Sequence, residues 1–315
     1  MQEKIDIFSK LLRDIEAEVG TSEASKMVLI SLMETIKAFK ADSCDTFCAQ
    51  FEELVKILSN TEPKFGVLNY HFAVMLKRFK AEVCGKDVCG VDEKKWKTVV
   101  LGYIEAILKE SRDHKRNLIS NAEKLDVEGK TILIHDHSHT VQDVLVHYKR
   151  MGKHFKVVIA EQDFDKTHSN IEKMDAAKIS FQVVPAYMLS HIHKHIDMLF
   201  FGGLTLKNTM HFVMDPGTHS IISEFNVEHV PVYMFMDTAK FSLWKSKPRG
   251  EIFIHQHTRM HVSKPIEYER IKYSHDRVPS SLFAKIITNE GVFDQKGLKA
   301  LYQKKFDEYA AMKLK

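Results

Sequence analysis

The residues best suited to chemistry in this sequence are three alternating histidines in the segment His135-Asp-His-Ser-His139. They directly follow a short apolar run, Thr131-Ile-Leu-Ile134. Neutral imidazoles that converge on one ion, joined by carboxylates from other loops, are ligands of catalytic zinc. The third histidine, however, comes one place earlier than in the H-x-H-x-D-H pattern of metallo-hydrolases. The alternative is structural: Ser138 or Thr140 caps the helix that follows.

Four further apolar runs also end in polar or small residues, and each is followed by a stretch with helical spacing. They are Phe155–Ala160 before Glu161, Phe181–Val184 before Pro185, Met198–Phe201 before Gly202-Gly203, and Val230–Phe235 before Met236-Asp237. Short apolar strands that alternate with helices predict βαβ units in a parallel sheet buried on both faces. Because ligands bind at the carboxyl ends of such strands, we expect the five strand ends to share one edge and to hold the functional site.

Other motifs in this half allow a structural interpretation beside a functional one. His191-Ile-His-Lys-His195 suits a solvated helix face as well as a shared site. Gly202-Gly203 lacks the further glycines or the lysine of a nucleotide loop, so a tight strand exit is the simpler interpretation. Asp215-Pro-Gly-Thr218 predicts a turn and a helix start, whose amides could hold a phosphate or carry an ordinary cap. No cysteine occurs after residue 126, which excludes a thiol nucleophile there.

The first 125 residues have helical periodicity, interrupted at Gly20, and predict a helical bundle. Val127-Glu-Gly-Lys130 breaks this pattern. We therefore expect a helical domain over residues 1–126 and an α/β domain over residues 127–315.

Outside the main sheet, several segments are predicted from turn residues and periodicity alone. The predictions are a loop at Cys84–Val91, a basic turn at Lys245–Gly250, a short strand at Glu251–His255, an irregular loop over 256–276, a helix at Leu282–Thr288 and a last helix over about 295–312.

The composition is ordinary for a globular protein. Of 315 residues, 44% are hydrophobic and 28% are charged, and the net charge of +4 is too mild to indicate nucleic-acid or membrane binding. No apolar run is long enough to span a bilayer. The polar start at Met1–Asp6 is unlike a signal peptide, and the four cysteines fit no usual zinc pattern. We expect a reduced, cytoplasmic protein.

Taken in chain order, the strand ends resemble the regulatory alpha/beta/delta subunit family of eukaryotic translation initiation factor 2B. This family also includes methylthioribose-1-phosphate and ribose-1,5-bisphosphate isomerases. The resemblance covers about residues 95–310, and it is carried by Ile132-Leu-Ile-His135 with Ser138 and Thr140-Val141, Phe155–Glu161, Gly202-Gly203, Gly217-Thr218, Lys240-Phe241, Val278–Leu282 and Ile286–Val292. It implies an N-terminal helical bundle followed by a Rossmann-like (NagB/RpiA-like) parallel-sheet domain.

The departures from the family pattern bear on activity. The isomerases place a catalytic cysteine where this chain has Asp136, and a catalytic aspartate where it has Leu204. The family's Asn-Lys pair is Met214-Asp215 here, and the arginine expected after Glu161 is missing. The resemblance therefore implies a non-catalytic member without cofactor or metal. The candidate ligand-pocket residues are His135, His137, Ser138, Glu161, Gly202, Gly203, Gly217, Thr218 and Lys240.

The implied function is that of a regulatory subunit, of alpha or beta type, in the guanine-nucleotide exchange complex for initiation factor 2. The short N-terminal part suits the alpha type, Ser138–Val141 and Gly217–His219 the beta type, and Val184–Ala186 the delta type. Implied partners are the other factor 2B subunits and initiation factor 2, in a homo- or hetero-dimer within a larger complex. Neither nucleic acid nor membrane is expected as a direct partner. Three alternatives remain: a sugar-phosphate isomerase, a sugar-phosphate sensor and a metal-dependent hydrolase.

Overall fold

The computed structural model describes residues 2–38, 40, 44–60, 66–82, 93–162, 164–243, 252–261, 264–273 and 275–313. The predicted loop at Cys84–Val91 and the predicted basic turn at Lys245–Gly250 lie outside these residues. Among the helices of the described residues, none is long and apolar enough to cross a bilayer.

The N-terminal part is helical, as predicted. Its helices are α1 (Gln2–Ala38), α2 (Cys44–Ser59), α3 (Gly66–Glu82) and α4 (Glu93–Ala122). Helix α1 is kinked at Gly20, whose φ of 75° and ψ of 161° are not helical. Only glycine adopts such a backbone without strain, which explains why the helical pattern is interrupted at this residue.

The helices pack around a shared apolar core. The rings of Phe47 and Phe51 lie 5.5 and 4.7 Å from the ring of Phe79, which joins α2 to α3. Helix α4 enters this core through Ile104, whereas its last turns, with Leu118, pack against the sheet. One helix therefore connects the apolar core of the bundle to the apolar cluster on one face of the sheet.

The second part of the chain is built on a seven-stranded sheet, and the predicted strands are members of this sheet. The strands are β1 (Thr131–Ile134), β2 (Lys156–Glu161), β3 (Ser180–Pro185), β4 (Met198–Gly202), β5 (Thr205–Leu206), β6 (His211–Met214), β7 (Val232–Phe235), β8 (Ile252–His261), β9 (Lys264–Tyr273), β10 (Asp276–Pro279), β11 (Lys285–Thr288) and β12 (Gly291–Phe293). The sheet order is β12-β11-β7-β4-β1-β2-β3, and only the β11–β12 pair is antiparallel. The five predicted apolar runs are therefore adjacent parallel strands, and that prediction is confirmed.

Helices cover this sheet and supply the crossovers between its strands. They are α5 (His139–Arg150), α6 (Phe164–Ala176), α7 (Thr218–Val227) and α8 (Gln295–Lys313). A smaller antiparallel sheet of order β10-β6-β5 lies beside the main one. The predicted last helix corresponds to α8.

Three predictions of local structure were wrong. The irregular loop over 256–276 is mostly the antiparallel hairpin β8–β9, whose two strands pair along their whole length although the polarity of the segment favoured a loop. The helix at Leu282–Thr288 is instead a 3₁₀ turn, Ser280–Leu282, followed by β11, whose apolar residues are buried between β7 and β12. The helix at His191–His195 is two short 3₁₀ turns joined at Ile192.

Candidate functional site

A cavity of about 670 Å³ lies at the carboxyl ends of β1, β4 and β7. The strand ends form its floor, and the N-terminal helices form the opposite wall. That wall contains the α1 kink, Val19–Glu23, together with Lys26 from α1 and Ser111 and Lys115 from α4. The cavity is therefore made by both parts of the chain.

The turn after β1 contributes most of the floor. Ser138 caps α5, and its side chain accepts a hydrogen bond from the Val141 amide at 3.4 Å. His135 lies beneath the cavity, with its Nδ1 3.2 Å from the Ala160 carbonyl oxygen. Burial lowers the pKa of His135, so the ring is held neutral. Ser138 therefore has the role that the structural interpretation of this histidine segment gave it, that of a helix cap.

Asp136, between those residues, is an enclosed carboxyl group on the cavity floor. Its Oδ2 accepts a hydrogen bond from the Gly202 amide at 2.8 Å, and Oδ1 is buried without a hydrogen-bond partner among the described residues. Its backbone carbonyl accepts a hydrogen bond from the Asn170 amide group at 3.0 Å. Burial and the charge of Asp215 raise the pKa of Asp136 to about 7. This carboxyl therefore changes charge near neutral pH.

The pKa of Asp215, in the turn before α7, is shifted in the opposite direction. Lys166 Nζ lies 3.0 Å from its Oδ2, and His137 Nδ1 lies 3.6 Å from the same oxygen. Burial alone would raise the pKa of Asp215, but the interactions with His137 and Lys166 outweigh it and hold this pKa well below its usual range. Two carboxyl groups in one cavity thus differ sharply in their protonation.

The glycine pair at the end of β4 is required by close approach. A Cβ on Gly202 would overlap the side chain of Ser138, and a Cβ on Gly203 would overlap that of Met236. Lys240 donates a hydrogen bond to the Gly203 carbonyl oxygen at 3.1 Å. The pair is a tight strand exit, as the simpler interpretation predicted.

Opposite charges are balanced around the cavity. The lining residues include five lysines and five carboxylates: Lys26, Lys115, Lys166, Lys173 and Lys240, and Glu23, Asp136, Asp143, Asp215 and Asp237. Several are paired with one another, for example Lys115 with Asp143 at 2.5 Å and Lys26 with Glu23 at 2.7 Å. The gain or loss of one proton by a lining residue therefore gives this balanced set of side chains a net charge.

The helices are tied to the floor of the cavity by a histidine and a carboxylate. His114 Nδ1 on α4 lies 3.1 Å from Oδ1 of Asp237, which follows β7 and also accepts a hydrogen bond from the Ala239 amide. Burial lowers the pKa of His114, but its bond to Asp237 outweighs burial, and the net shift is upward. This contact fixes one helical wall against the strand ends.

Of the nine predicted site residues, the cavity brings together five: His137, Ser138, Gly202, Gly203 and Lys240. His135 and Gly217 lie beneath the floor, where a Cβ on Gly217 would be 3.4 Å from His135 Nε2. Thr218 is fully buried, and Glu161 is exposed at the end of β2 and does not line the cavity.

Prediction missed several lining residues. Lys166 and Lys173 lie on a helix surface, and Lys26 and Lys115 belong to helices distant in sequence. The one local signal was Gly20, where the helical pattern of the sequence is interrupted. This residue lies close to His139, since a Cβ on Gly20 would be 2.9 Å from Nδ1 of the His139 ring. Within the described part of the chain, no three His, Cys, Asp or Glu residues are grouped to hold a metal ion.

Comparison with known proteins assigns the family. The model of the initiation factor 2 subunit family (IF-2B) matches residues 18–295. Translation initiation factor eIF2B subunit alpha from Dictyostelium discoideum is 22% identical over 262 residues, which cover 83% of this chain and 80% of that protein. A putative translation initiation factor eIF-2B subunit 2-like protein from Pyrococcus furiosus is 25% identical over 138 residues, covering 44% of this chain and 50% of that protein.

Solved structures share the fold. The translation initiation factor eIF-2B of Pyrococcus horikoshii OT3 matches with a TM-score of 0.67 at 16% identity, covering 91% of this chain and 96% of that chain. A chain of the tetrameric eIF2B-beta2-delta2 complex from C. thermophilum matches with a TM-score of 0.69 at 18% identity. The match covers 95% of this chain and 93% of that chain. Because the family model spans well over half of its residues, the chain belongs to the initiation factor 2 subunit family, as the resemblance of its strand ends predicted.

Proposed function

We propose that the protein is a non-catalytic regulatory subunit, of alpha or beta type, of the guanine-nucleotide exchange complex for initiation factor 2. The observation that carries this proposal is the similarity to an alpha subunit over about four fifths of both chains. Similarity of that extent includes the helical part as well as the sheet, so it supports a role for the whole chain. The division into domains at residues 1–126 and 127–315 is part of the proposal.

The cavity supports a subunit without isomerase activity. Isomerisation needs one group that removes a proton from the substrate and a second group that returns a proton at the reacting carbon. The position of the isomerases' cysteine holds Asp136 and the position of their aspartate holds apolar Leu204, so neither of the two isomerase groups is carried over to this chain. Exchange activity would then reside in other subunits.

The proposed partners are other factor 2B subunits and initiation factor 2 in the cytoplasm. A chain of similar fold comes from a complex that contains beta and delta subunits, which supports assembly with such subunits. We assign the α/β part to the contact between subunits, in a homo- or hetero-dimer, and the N-terminal helices to the phosphorylated alpha subunit of initiation factor 2.

The test is purification of the tagged full chain from its source cells, with its mass in solution and its bound proteins identified. We expect self-association or a larger complex, and recovery of factor 2B and initiation factor 2 subunits. A monomer that recovers none of these subunits contradicts the proposal.

Matched surface variants test the role of the helices. Leu11 on α1 and Val227 on α7 are both exposed apolar side chains, at 51% and 75%. We expect Leu11→Glu to reduce recovery of initiation factor 2 while Val227→Glu leaves it unchanged, with both variants folded by circular dichroism. Equal recovery with both variants argues against a helical contact.

A second candidate, a sensor of phosphorylated sugars, is favoured by the cavity and its five lysines. Thermal shift with ribose-1,5-bisphosphate and methylthioribose-1-phosphate tests binding, since a ligand of the folded state raises Tm. Turnover of either compound, followed by NMR, would instead support an isomerase. Elemental analysis of the purified protein tests the metal-dependent hydrolase.

A further inference from the structure

The hairpin β8–β9 forms a two-stranded sheet of its own. Its strands pair antiparallel over ten residues each, and neither strand belongs to the seven-stranded or the three-stranded sheet. At about 3.3 Å per residue, the ribbon is about 30 Å long. The exposed fractions of Tyr268, Ile271 and Tyr273 are 43%, 57% and 53%. Solvent therefore reaches this ribbon.

The register of the hairpin separates its charged residues. In antiparallel strands, residues directly opposite each other share a face, and successive residues alternate between the two faces. The two carboxylates of these strands, Glu267 and Glu269, lie on one face, and all four of their lysines and arginines lie on the other. This second face, called the basic face, consists of Phe253, His255, His257, Arg259, His261, Lys264, Ile266, Tyr268, Arg270 and Lys272.

The net charge of the chain conceals the basic face. The whole sequence has 46 lysines and arginines against 42 aspartates and glutamates, and this mild excess of +4 was the reason to expect no direct contact with nucleic acid. That expectation averages over surfaces on which opposite charges are mixed. The basic face instead concentrates four positive charges, with no negative one, on one side of a narrow ribbon. Such a local field attracts a polyanion whatever the total charge of the protein.

Rings alternate with the charges along the basic face. Four of its five cross-strand pairs contain a lysine or arginine, and four contain an aromatic or imidazole ring. The pairs are Phe253 with Lys272, His255 with Arg270, His257 with Tyr268, Arg259 with Ile266, and His261 with Lys264. Lysine and arginine bind phosphates, whereas rings stack with unpaired bases. An acidic protein segment would match the charges but not the rings, so the combination favours a nucleic acid whose bases are exposed.

We propose that the basic face of β8–β9 binds single-stranded nucleic acid, which for a member of a translation initiation family is RNA. The lysines and arginines bind its phosphates, and Tyr268, in the central pair of the face, supplies a stacking surface for a base. The bases of a duplex are already stacked on one another, so a duplex offers the rings no free base. This activity is additional to the subunit role and does not rest on it.

The test is fluorescence anisotropy of the full chain with a labelled RNA of about 20 nucleotides that cannot pair with itself, longer than most single-strand binding sites. For single strands, each phosphate contact contributes about −0.7 to the slope of log affinity against log salt. With four contacts, the affinity should fall about fifty-fold from 50 to 200 mM salt. With Arg270→Gln and Lys272→Gln combined, two contacts remain, and the fall should be about sevenfold.

A matched control removes the same two kinds of charge elsewhere. Lys109 and Arg112 are exposed on α4, and Lys109→Gln combined with Arg112→Gln should keep the salt dependence of the unchanged protein. Tyr268→Ala should weaken binding about tenfold at every salt concentration without changing the slope, because it removes a stacking surface but no charge. Tyr268→Phe keeps the ring and should restore the affinity. Circular dichroism checks that each variant is folded.

Three results overturn the inference. The first is no binding of the RNA at 50 mM salt, and the second is the same salt dependence in the hairpin variant as in the α4 control. The third is displacement of the RNA by polyglutamate as effective as that by unlabelled RNA, which would identify an acidic protein as the partner. Recovery of initiation factor subunits is measured separately, so failure of the RNA site is distinguishable from failure of the proposed subunit role.

Discussion

Substitution of Asp136 by asparagine should make the protein more stable at alkaline pH. In the folded chain the pKa of this carboxyl is about 7, against an ordinary value of 3.8. A difference of about three units corresponds to about 4 kcal/mol, which is the cost of keeping the buried group ionised in the folded state. Asparagine retains an oxygen for the Gly202 amide and carries no charge, so it avoids that cost.

The sign of the pH dependence follows from the raised pKa. Between pH 3.8 and about 7 the folded chain holds a proton on Asp136 that the unfolded chain has lost. Stability from this group is therefore greatest at acid pH and falls as pH rises towards 7. Between pH 5.5 and pH 8.5 the free energy of unfolding should decrease by about 2 kcal/mol through Asp136 alone.

Urea unfolding at several pH values measures this difference. The gap between Asp136→Asn and the unchanged protein should widen from pH 5.5 to pH 8.5, because only the unchanged protein carries the titrating group. The control is Asp175→Asn, since the side chain of Asp175 is 72% exposed and a surface change of this kind shifts stability by about 0.5 kcal/mol or less. If the gap stays constant across the pH range, Asp136 does not titrate as the structure indicates, and the reasoning is refuted.

Further predictions concern the packing around the same site. Gly202→Ala should cost about 3 kcal/mol in urea unfolding, because the new methyl group overlaps Ser138, and the added change Ser138→Gly should recover part of that loss. Tyr148→Phe should cost about 1 kcal/mol, because it removes the hydroxyl that donates to the buried Ala122 carbonyl at the end of α4, which then keeps only the Leu125 amide as its donor. The pKa of His114 is raised by Asp237, so the stabilisation it supplies is complete below pH 6.5 and is lost as pH rises through the folded value. His114→Gln should therefore destabilise the protein more at pH 6 than at pH 9, and equal losses at both pH values would contradict this linkage.

The central strands could be predicted because each is a continuous apolar run. Strands such as β1 and β4 are buried on both faces, so their sequences contain no polar alternation and end abruptly where the chain reaches solvent. Strand β11 escaped prediction for a different reason. Its four residues follow a proline and two serines, which also suit a helix start, and only the neighbouring strands β7 and β12 select the extended form.

The floor of the cavity was partly predictable for the same reason as the strands. Residues that follow parallel strands are brought to one edge by the sheet itself, which places Ser138 beside Gly202 without further information. The same reasoning was wrong for Glu161, which does not line the cavity. Its strand, β2, lies one strand further towards the edge of the sheet, whereas the cavity extends over β1, β4 and β7. Strand order, which local sequence does not determine, decides which ends meet.

The helical wall could not be predicted, and this has a consequence for function. Residues of the α1 kink meet the strand ends because α4 joins the apolar core of the bundle to the apolar cluster on one face of the sheet, which holds the bundle over the sheet edge. A ligand in the cavity would therefore contact the helices that we assign to initiation factor 2 and the strands that we assign to subunit contact. If both assignments hold, ligand affinity and assembly must be thermodynamically linked, since any difference in ligand affinity between free and assembled chains changes assembly by the same factor.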